Sequence, residues 1–465
     1  MASCPSYSNP SRTRRVVVSA APECSPGSGR TKGLYNIPVF ENFNPLQPDF
    51  EVISLNRAKP GLGPDGFAAG LGFYRLTGNI NVYGSGYGNM PPSWTTLLEA
   101  AGFEATRYVS TSTSAVATTS VTLTAGTDPD GDMESGYYYY RFSKVVNGVE
   151  EKLTTPGGPS SNVEVFVGSG DDSVTIDFAT STSAFDVNDV VRIYRSRVQP
   201  TAVGGSGLTY YFVAQVTLTN STTGEEYLDT YGDLELAEGV PDQTTGTDVQ
   251  TIWRPLSEGH KSLTVWTWLD HARYPATGVR GNINFQAEVG QIMTGAIDFS
   301  GVYNTRVTEA NPSTATNPGI PPRVCGIDLT ITPDGESPLT PIVKSFGINL
   351  GTQISQRLDG NNAECLIENG IFNQFDPRWT TQIEVDSTSD YLNWFKNNKL
   401  FALQATIQPS TSPTGKRVMF YTPATVAQLA SAPQFDDSNG VRVINLEFQL
   451  TDPNGTNQFL YIKHY

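Results

Sequence analysis

The chain has 465 residues, 38% of them apolar and only 16% charged, with a formal net charge of −16. The apolar content excludes a disordered chain, the length allows roughly two to four domains, and the acidic balance argues against sequence-specific nucleic-acid binding. Residues 111–245 hold 19 acidic and 6 basic side chains, so most of the excess charge sits there, and its simplest reading is a solvated, soluble surface.

Cys4, Cys24, Cys325 and Cys365 are scattered without metal-ligand spacing, which suits free thiols in a reducing compartment. The first ten residues contain no apolar stretch of the signal-peptide kind. No run approaches the roughly 18 apolar residues of a membrane span. The expectation is synthesis in a cytoplasm, with no membrane contact.

Residues 1–48 are rich in Pro, Ser and Gly, with Arg12, Arg14 and Arg15 before Val16, and read as an extended arm with one short strand. Strands are predicted near Phe50–Asn56 and Gly72–Tyr83, separated by a turn-rich loop. Pro91 and Pro92 stop the sheet. Ser93 is placed to cap a helix, Trp94–Ala101, which Gly102 closes.

From about residue 111 the composition shifts. Short strands follow at Val121–Thr124, Tyr137–Val146, Val163–Val167, Val174–Phe178, Val190–Arg195 and Tyr210–Leu218. Closing strands are predicted at Tyr227–Thr230 and Asp233–Leu236. This pattern indicates an immunoglobulin-like or fibronectin-III-like sandwich that contains no cysteine. The interrupted unit resumes at Leu263–Leu269, then Gly278–Phe285 and Ala296–Tyr303.

Later strands are predicted at Val324–Ile331, Ser345–Leu350, Ala363–Glu368 and Trp379–Val385. A helix, Asp390–Asn398, precedes Leu400–Ile407 and Lys416–Tyr421. In the last long strand Ile444, Leu446, Phe448 and Leu450 alternate with Asn445, Glu447 and Gln449, so one face is apolar and the other wet. The helices hold matching places, so the pattern reads as a duplicated unit, with two unlike β domains as the alternative. The fold class is all-β: two β-sandwich or barrel domains, each with one short helix, plus the inserted sandwich. The boundaries are an arm at 1–48, a discontinuous first domain at 49–110 and 246–310, the insert at 111–245, and a second domain at 311–465.

With the helices and their flanking strands placed, the chain resembles the major tail tube protein of a long-tailed, siphovirus-type bacteriophage. The resemblance rests on Pro92–Phe103 (PSWTTLLEAAGF), Gly278–Gly290 (GVRGNINFQAEVG) and Met293–Tyr303 (MTGAIDFSGVY). The insert is similar to sandwich modules of phage tail proteins, through its Tyr-rich strand at Tyr137–Arg141 and the VRIYRS run ending at Ser196. Residues 324–465 match in pattern alone.

The resemblance implies a self-assembling virion protein, made in the host cytoplasm, whose rings stack into a hollow tail tube through which DNA passes without specific binding. A duplicated unit favours three chains per ring in pseudo-sixfold symmetry; an unduplicated one needs six. The implied partners are further copies of the chain, a tape measure protein inside the lumen before ejection, and tail terminator and tail tip proteins. Asn282, Asn284, Gln286, Asn445, Glu447 and Gln449 become candidates for the lumen, or else an ordinary solvated sheet face. The loops carrying Gly61, Asp65 and Phe67 and carrying Arg357, Asp359 and Asn361 become candidates for ring stacking, or else plain surface loops. The acidic insert would face outward.

Chemical motifs are weak. Asp270 and His271 are adjacent without a glycine-framed serine nucleophile. Asp128, Asp130, Asp132 and Glu134 lack the spacing of a calcium-binding EF-hand and read as an acidic turn. Gly84–Gly88 lacks the Lys-Ser/Thr of a phosphate loop. Tyr137–Tyr140 read as packing residues, half of them facing the core. The expectation is a protein without enzymatic activity or cofactor. The rival readings are a β-rich adhesin or receptor-binding tail protein acting through the insert, and a carbohydrate-active enzyme on a β scaffold.

Overall fold

The computed structural model describes residues 16–23, 35–36, 44–54, 67–84, 92–108, 121–146, 149–150, 164–178, 187–203, 208–219, 225–233, 236–241, 250–269, 272–309, 324–358, 366–386, 389–409, 417–438, 440–455 and 458–464. The fold is all-β, with two short α-helices among the described residues. Its main layer is an antiparallel run of eight strands: Asn44–Ser54, Phe67–Asn81, Thr294–Tyr303, Ala272–Glu288, Val343–Asn349, Arg378–Glu384, Val441–Leu450 and Gln434–Ser438.

A second layer joins Phe103–Tyr108, Gln250–Pro255, Tyr461–His464, Val418–Tyr421, Leu400–Pro409 and Val324–Pro333. The short strand Ala427–Leu429 pairs with Leu400–Pro409 and with Val441–Leu450, so it forms a corner between the layers.

Alternation explains the stacking. Ile283, Phe285, Ile297, Phe299, Ile348, Trp379, Leu446 and Phe448 point from the first layer into one apolar core. Ala105, Trp253, Leu403, Phe420 and Ile462 come from the second. Phe285 and Phe346 meet Phe420 at ring distances of 5.1 and 5.6 Å. Each such side chain contributes about 1.5–3 kcal/mol when fully buried, so this continuous seam holds the two halves of the chain together.

The first helical segment is tighter at its start than the sequence predicts. A 3₁₀ turn, Ser93–Thr95, leads into α1, Thr96–Ala100. Ser93 lies inside the turn instead of capping it; Thr95 Oγ1 donates to Pro92 O at 2.7 Å, and Trp94 Nε1 anchors to Tyr83 O at 3.0 Å. Gly102 ends the segment at φ 87°, a left-handed conformation that glycine adopts cheaply. In α2, Tyr391–Lys396, Asp390 Oδ1 accepts the Asn393 N–H at 3.0 Å, and Asn398 makes the left-handed exit at φ 51°.

Part of the N-terminal arm is an integral strand. Val16–Pro22 pairs along its length with Leu263–Leu269, burying Val18, Ala20 and Ala21. Glu23 then closes the clasp. Its buried carboxylate accepts from Ser262 Oγ (2.6 Å), Thr264 Oγ1 (2.8 Å) and the Gly278 N–H (2.9 Å). Arg12, Arg14 and Arg15 lie outside the described residues.

The insert occupies the turn of the Phe103–Tyr108 and Gln250–Pro255 hairpin. It opposes a three-stranded sheet (Val121–Gly126, Ser173–Phe178, Glu225–Asp229) to Glu164–Val167, Gly136–Val146, Val190–Ser196, Thr209–Thr217 and Ala237–Pro241. Val165, Val167, Val174, Ile176 and Phe178 fill its core.

One detail differs from the sequence reading. Asp233 is not in a strand: its carboxylate accepts the Val198 N–H at 2.7 Å, and the closing strand starts at Ala237. The tyrosines are packed on both faces, Tyr138 and Tyr140 in the main core and Tyr139 in a second cluster with Tyr194 and Tyr210. Arg195 ties the two sheets through Asp229 at 2.9 Å, both side chains wholly buried, and Tyr140 donates to the same carboxylate at 2.7 Å. Burial opposes the guanidinium charge, but Asp229, Tyr140 and Asp233 outweigh it and hold Arg195 protonated.

The insert is also tied to the body. Lys261 donates to Leu236 O and lies 3.4 Å from Glu99, while Arg197 reaches Glu104 at 3.5 Å. Burial raises the Glu99 pKa despite Lys261.

Candidate assembly face

Residues directly opposite each other in an antiparallel sheet share a face. Gln286 stands opposite Gly347, Gly347 opposite Thr380, and Thr380 opposite Glu447. Asn284, Asn349, Arg378 and Gln449 form the next row, and Glu288, Ser345, Gln382 and Asn445 a third. The two sets of candidates, Asn282, Asn284 and Gln286 with Asn445, Glu447 and Gln449, therefore lie on one wet face although more than 150 residues separate them. The face continues across Thr294, Ala296 and Asp298 to Asn81, Asn79 and Thr77.

This face is built from amides, hydroxyls and paired charges. Asn282 Nδ2 donates to Asn349 Oδ1 at 2.7 Å, and Gln382 Nε2 to Asn445 Oδ1 at 3.1 Å. Arg75 makes a two-pronged bond to Asp298 at 2.8 and 2.7 Å. Arg378 donates to Glu447 at 2.7 Å, a bond that raises its pKa. Two shallow polar grooves of about 500 and 390 Å³ run along it, lined by Gln286, Glu288, Ser345 and Thr380, and by Gln382, Gln434, Asn445 and Glu447.

Sequence reading missed the two arginines and Asp298. The signal was present as a paired repeat, Arg75-Leu76-Thr77 with Arg378-Trp379-Thr380, and Asp298-Phe299-Ser300 with Glu447-Phe448-Gln449. The structure places them in one register: Thr77 opposite Asp298, Thr380 opposite Glu447. Strand order repeats with it. Asn44–Ser54, Phe67–Asn81, Thr294–Tyr303 and Ala272–Glu288 follow the same order as Val343–Asn349, Arg378–Glu384, Val441–Leu450 and Gln434–Ser438.

The stacking-loop candidates are placed differently. Phe67 and Arg357 belong to strands, opposite Ser54 and Glu368, because backbone pairing continues up each hairpin. Gly61, Asp65, Asp359 and Asn361 lie outside the described residues, as do Asp270, His271 and residues 85–88. The hairpin bases do correspond. Asn44–Ser54 stays one strand along its hairpin with Phe67–Asn81, its register shifting at Asn44/Gln47 and Phe50/Val52, whereas Val343–Asn349 and Arg378–Glu384 are continued by a separate pair, Thr352–Leu358 and Leu366–Phe375.

Gly351 makes that break at φ 63°, where a Cβ would sit 1.9 Å from Asp376 O. Arg280 fastens the folded-over hairpin. Its guanidinium donates to Gly370 O (2.6 Å), His260 O (2.7 Å) and Lys261 O (3.0 Å) and lies over the Phe372 ring.

In the acidic turn of the insert, carboxylates accept backbone N–H groups: Asp172 from Asp128 at 2.8 Å, and Asp128 from Asp130 at 3.0 Å. No cluster with metal-holding geometry is found among the described residues, and none of their helices is long and apolar enough to cross a membrane. No known family model matches the chain, and no curated protein is similar to it.

Proposed function

We propose that this chain is a ring-forming structural subunit of a hollow tube, the tail tube of a long-tailed phage, and that DNA passes along the wet face of its eight-stranded sheet. The observation that carries the reading is the twice-repeated four-strand order with both ends left open. Among the described residues, Asn44–Ser54 pairs within this layer only with Phe67–Asn81, and Gln434–Ser438 only with Val441–Leu450. Exposed edges invite pairing with another chain, and a head-to-tail contact repeated around an axis closes into a ring without free edges.

The chain carries its own template for that contact. Ala272–Glu288 and Val343–Asn349 join the halves, with Asn284 opposite Asn349. By strand position, Gln434 matches Asn284 and Gln47 matches Asn349. The junction between copies therefore sets Gln434 of one opposite Gln47 of the next. Two quasi-equivalent units per chain make three copies a pseudo-sixfold ring.

A bore for DNA works best when it does not bind phosphate. Arg75 and Arg378 on this face are each held by a carboxylate on the neighbouring strand. Arg280, in register with Ser300 and Arg75, is buried and spends its guanidinium on backbone carbonyls. The insert, attached at the turn of an outer-layer hairpin, would stand on the tube exterior.

Negative-stain electron microscopy of the purified protein tests this. Rings or tubes with threefold symmetry and a central bore are expected. A monodisperse monomer at high concentration, under conditions in which the protein is folded, overturns it.

A further inference from the structure

The two helix ends are equivalent in the chain and unequal in their surroundings. At the end of α1, Ala101, Gly102 and Phe103 are buried. The cover is the second-half hairpin: Thr352 Oγ1 donates to Ala101 O at 3.3 Å, and the Phe375 ring lies 6.1 Å from that of Phe103. A Cβ on Gly102 would stand 2.8 Å from the Phe375 ring.

At α2 the matching residues, Asn397 and Asn398, are exposed, and the apolar Leu392 (53% exposed), Phe395 (37%) and Leu400 (38%) flank them. Asn398 occupies the position of Gly102, both left-handed and two residues past the last helical residue. The hairpin that would match the cover, Asn44–Ser54 with Phe67–Asn81, stands at the opposite edge of the eight-stranded sheet.

We infer that the first-half hairpin of a second copy of this chain covers the bare end of α2, as the chain's own second-half hairpin covers the end of α1. This rests on the ring reading above and adds a second contact, on the outer side of the sheet junction. The internal interface is the argument for the occupant. The same strand order that makes Gln434–Ser438 an open edge brings the neighbour's hairpin to the side where α2 ends. Exposed leucine and phenylalanine beside an unfilled copy of an occupied site fit a partner carrying that hairpin.

Disulfide trapping tests the contact. Gly72 precedes Arg75 by the interval that separates Phe375 from Arg378, and Asn398 holds the place of Gly102, so Gly72→Cys and Asn398→Cys are combined in a chain whose four native cysteines are serine. Oxidation should give intermolecular cross-links up to the ring stoichiometry, with none from either single variant. Rings without cross-links overturn the docking and leave the ring reading standing. Cross-linked pairs without rings do the reverse. As a second measure, Leu400→Glu at an exposed position should leave the monomer folded and raise the concentration needed for assembly at least tenfold. An unchanged assembly threshold overturns the inference.

Discussion

Arg378 and Glu447 are joined across neighbouring strands at 2.7 Å, on the same diagonal that Arg75 and Asp298 occupy in the first half of the chain. Both pairs are half-exposed, so each contributes little to stability, about 0.2–1 kcal/mol. In the proposed tube their weight would fall on what the face presents to a polyanion. Asp298→Asn with Glu447→Gln should leave melting within a few degrees of the parent. The assembled protein should then retain DNA in a salt-sensitive way. Fluorescence anisotropy of labelled DNA with assembled protein reads this; equal retention by parent and variant would remove the proposed role of these pairs.

His464 gives a pH prediction. It is 3% exposed and packs against Trp94 at 5.5 Å, and burial lowers its pKa from 6.5 to about 3. The unfolded chain takes up this proton before the folded one does. The pH-dependent cost is therefore absent above pH 6.5, and stability falls as pH drops from about 6.5 toward 3. The slope approaches about 1.4 kcal/mol per pH unit. His464→Leu should flatten that part of the urea-denaturation profile; an identical profile would show that another group dominates it.

The buried pair of the insert is a sharper stability test. Asp229→Asn leaves Arg195 buried without its main counter-charge and should cost about 3–5 kcal/mol. Arg195→Met combined with Asp229→Leu should recover much of that loss. Urea titration followed by tyrosine fluorescence separates the two, and equal losses for single and double variants would contradict the pairing.

Gly351→Ala tests the break that folds the second-half hairpin over. The left-handed φ and the approach of Asp376 O leave no room for a Cβ. The strain amounts to about 1–3 kcal/mol. Hydrogen exchange should rise across Thr352–Phe375 and at Ala101–Phe103 beneath it, and unchanged protection there would refute the packing role.

Much of this protein is written locally. Alternation from Ile444 to Leu450 announced a strand with one wet face, and the same pattern marked Gly281–Phe285. Gly102 as a stop and the expected span Asp390–Asn398 bounded the helices within one or two residues, whereas the cap Asp390 itself emerged only from the structure. These signals survive because they depend on the chain's own backbone geometry.

What the sequence could not say is which strands become neighbours. The union of Asn284 with Asn349 and of Arg378 with Glu447 depends on contacts between segments far apart in the chain, each chosen by the shape of the shared core. The diagonal of Arg75 and Asp298 shows this most clearly, because 223 residues and a whole inserted sandwich separate the partners. Only when Leu76 and Phe299 are driven into the core together are the charged neighbours brought to the same side of the sheet.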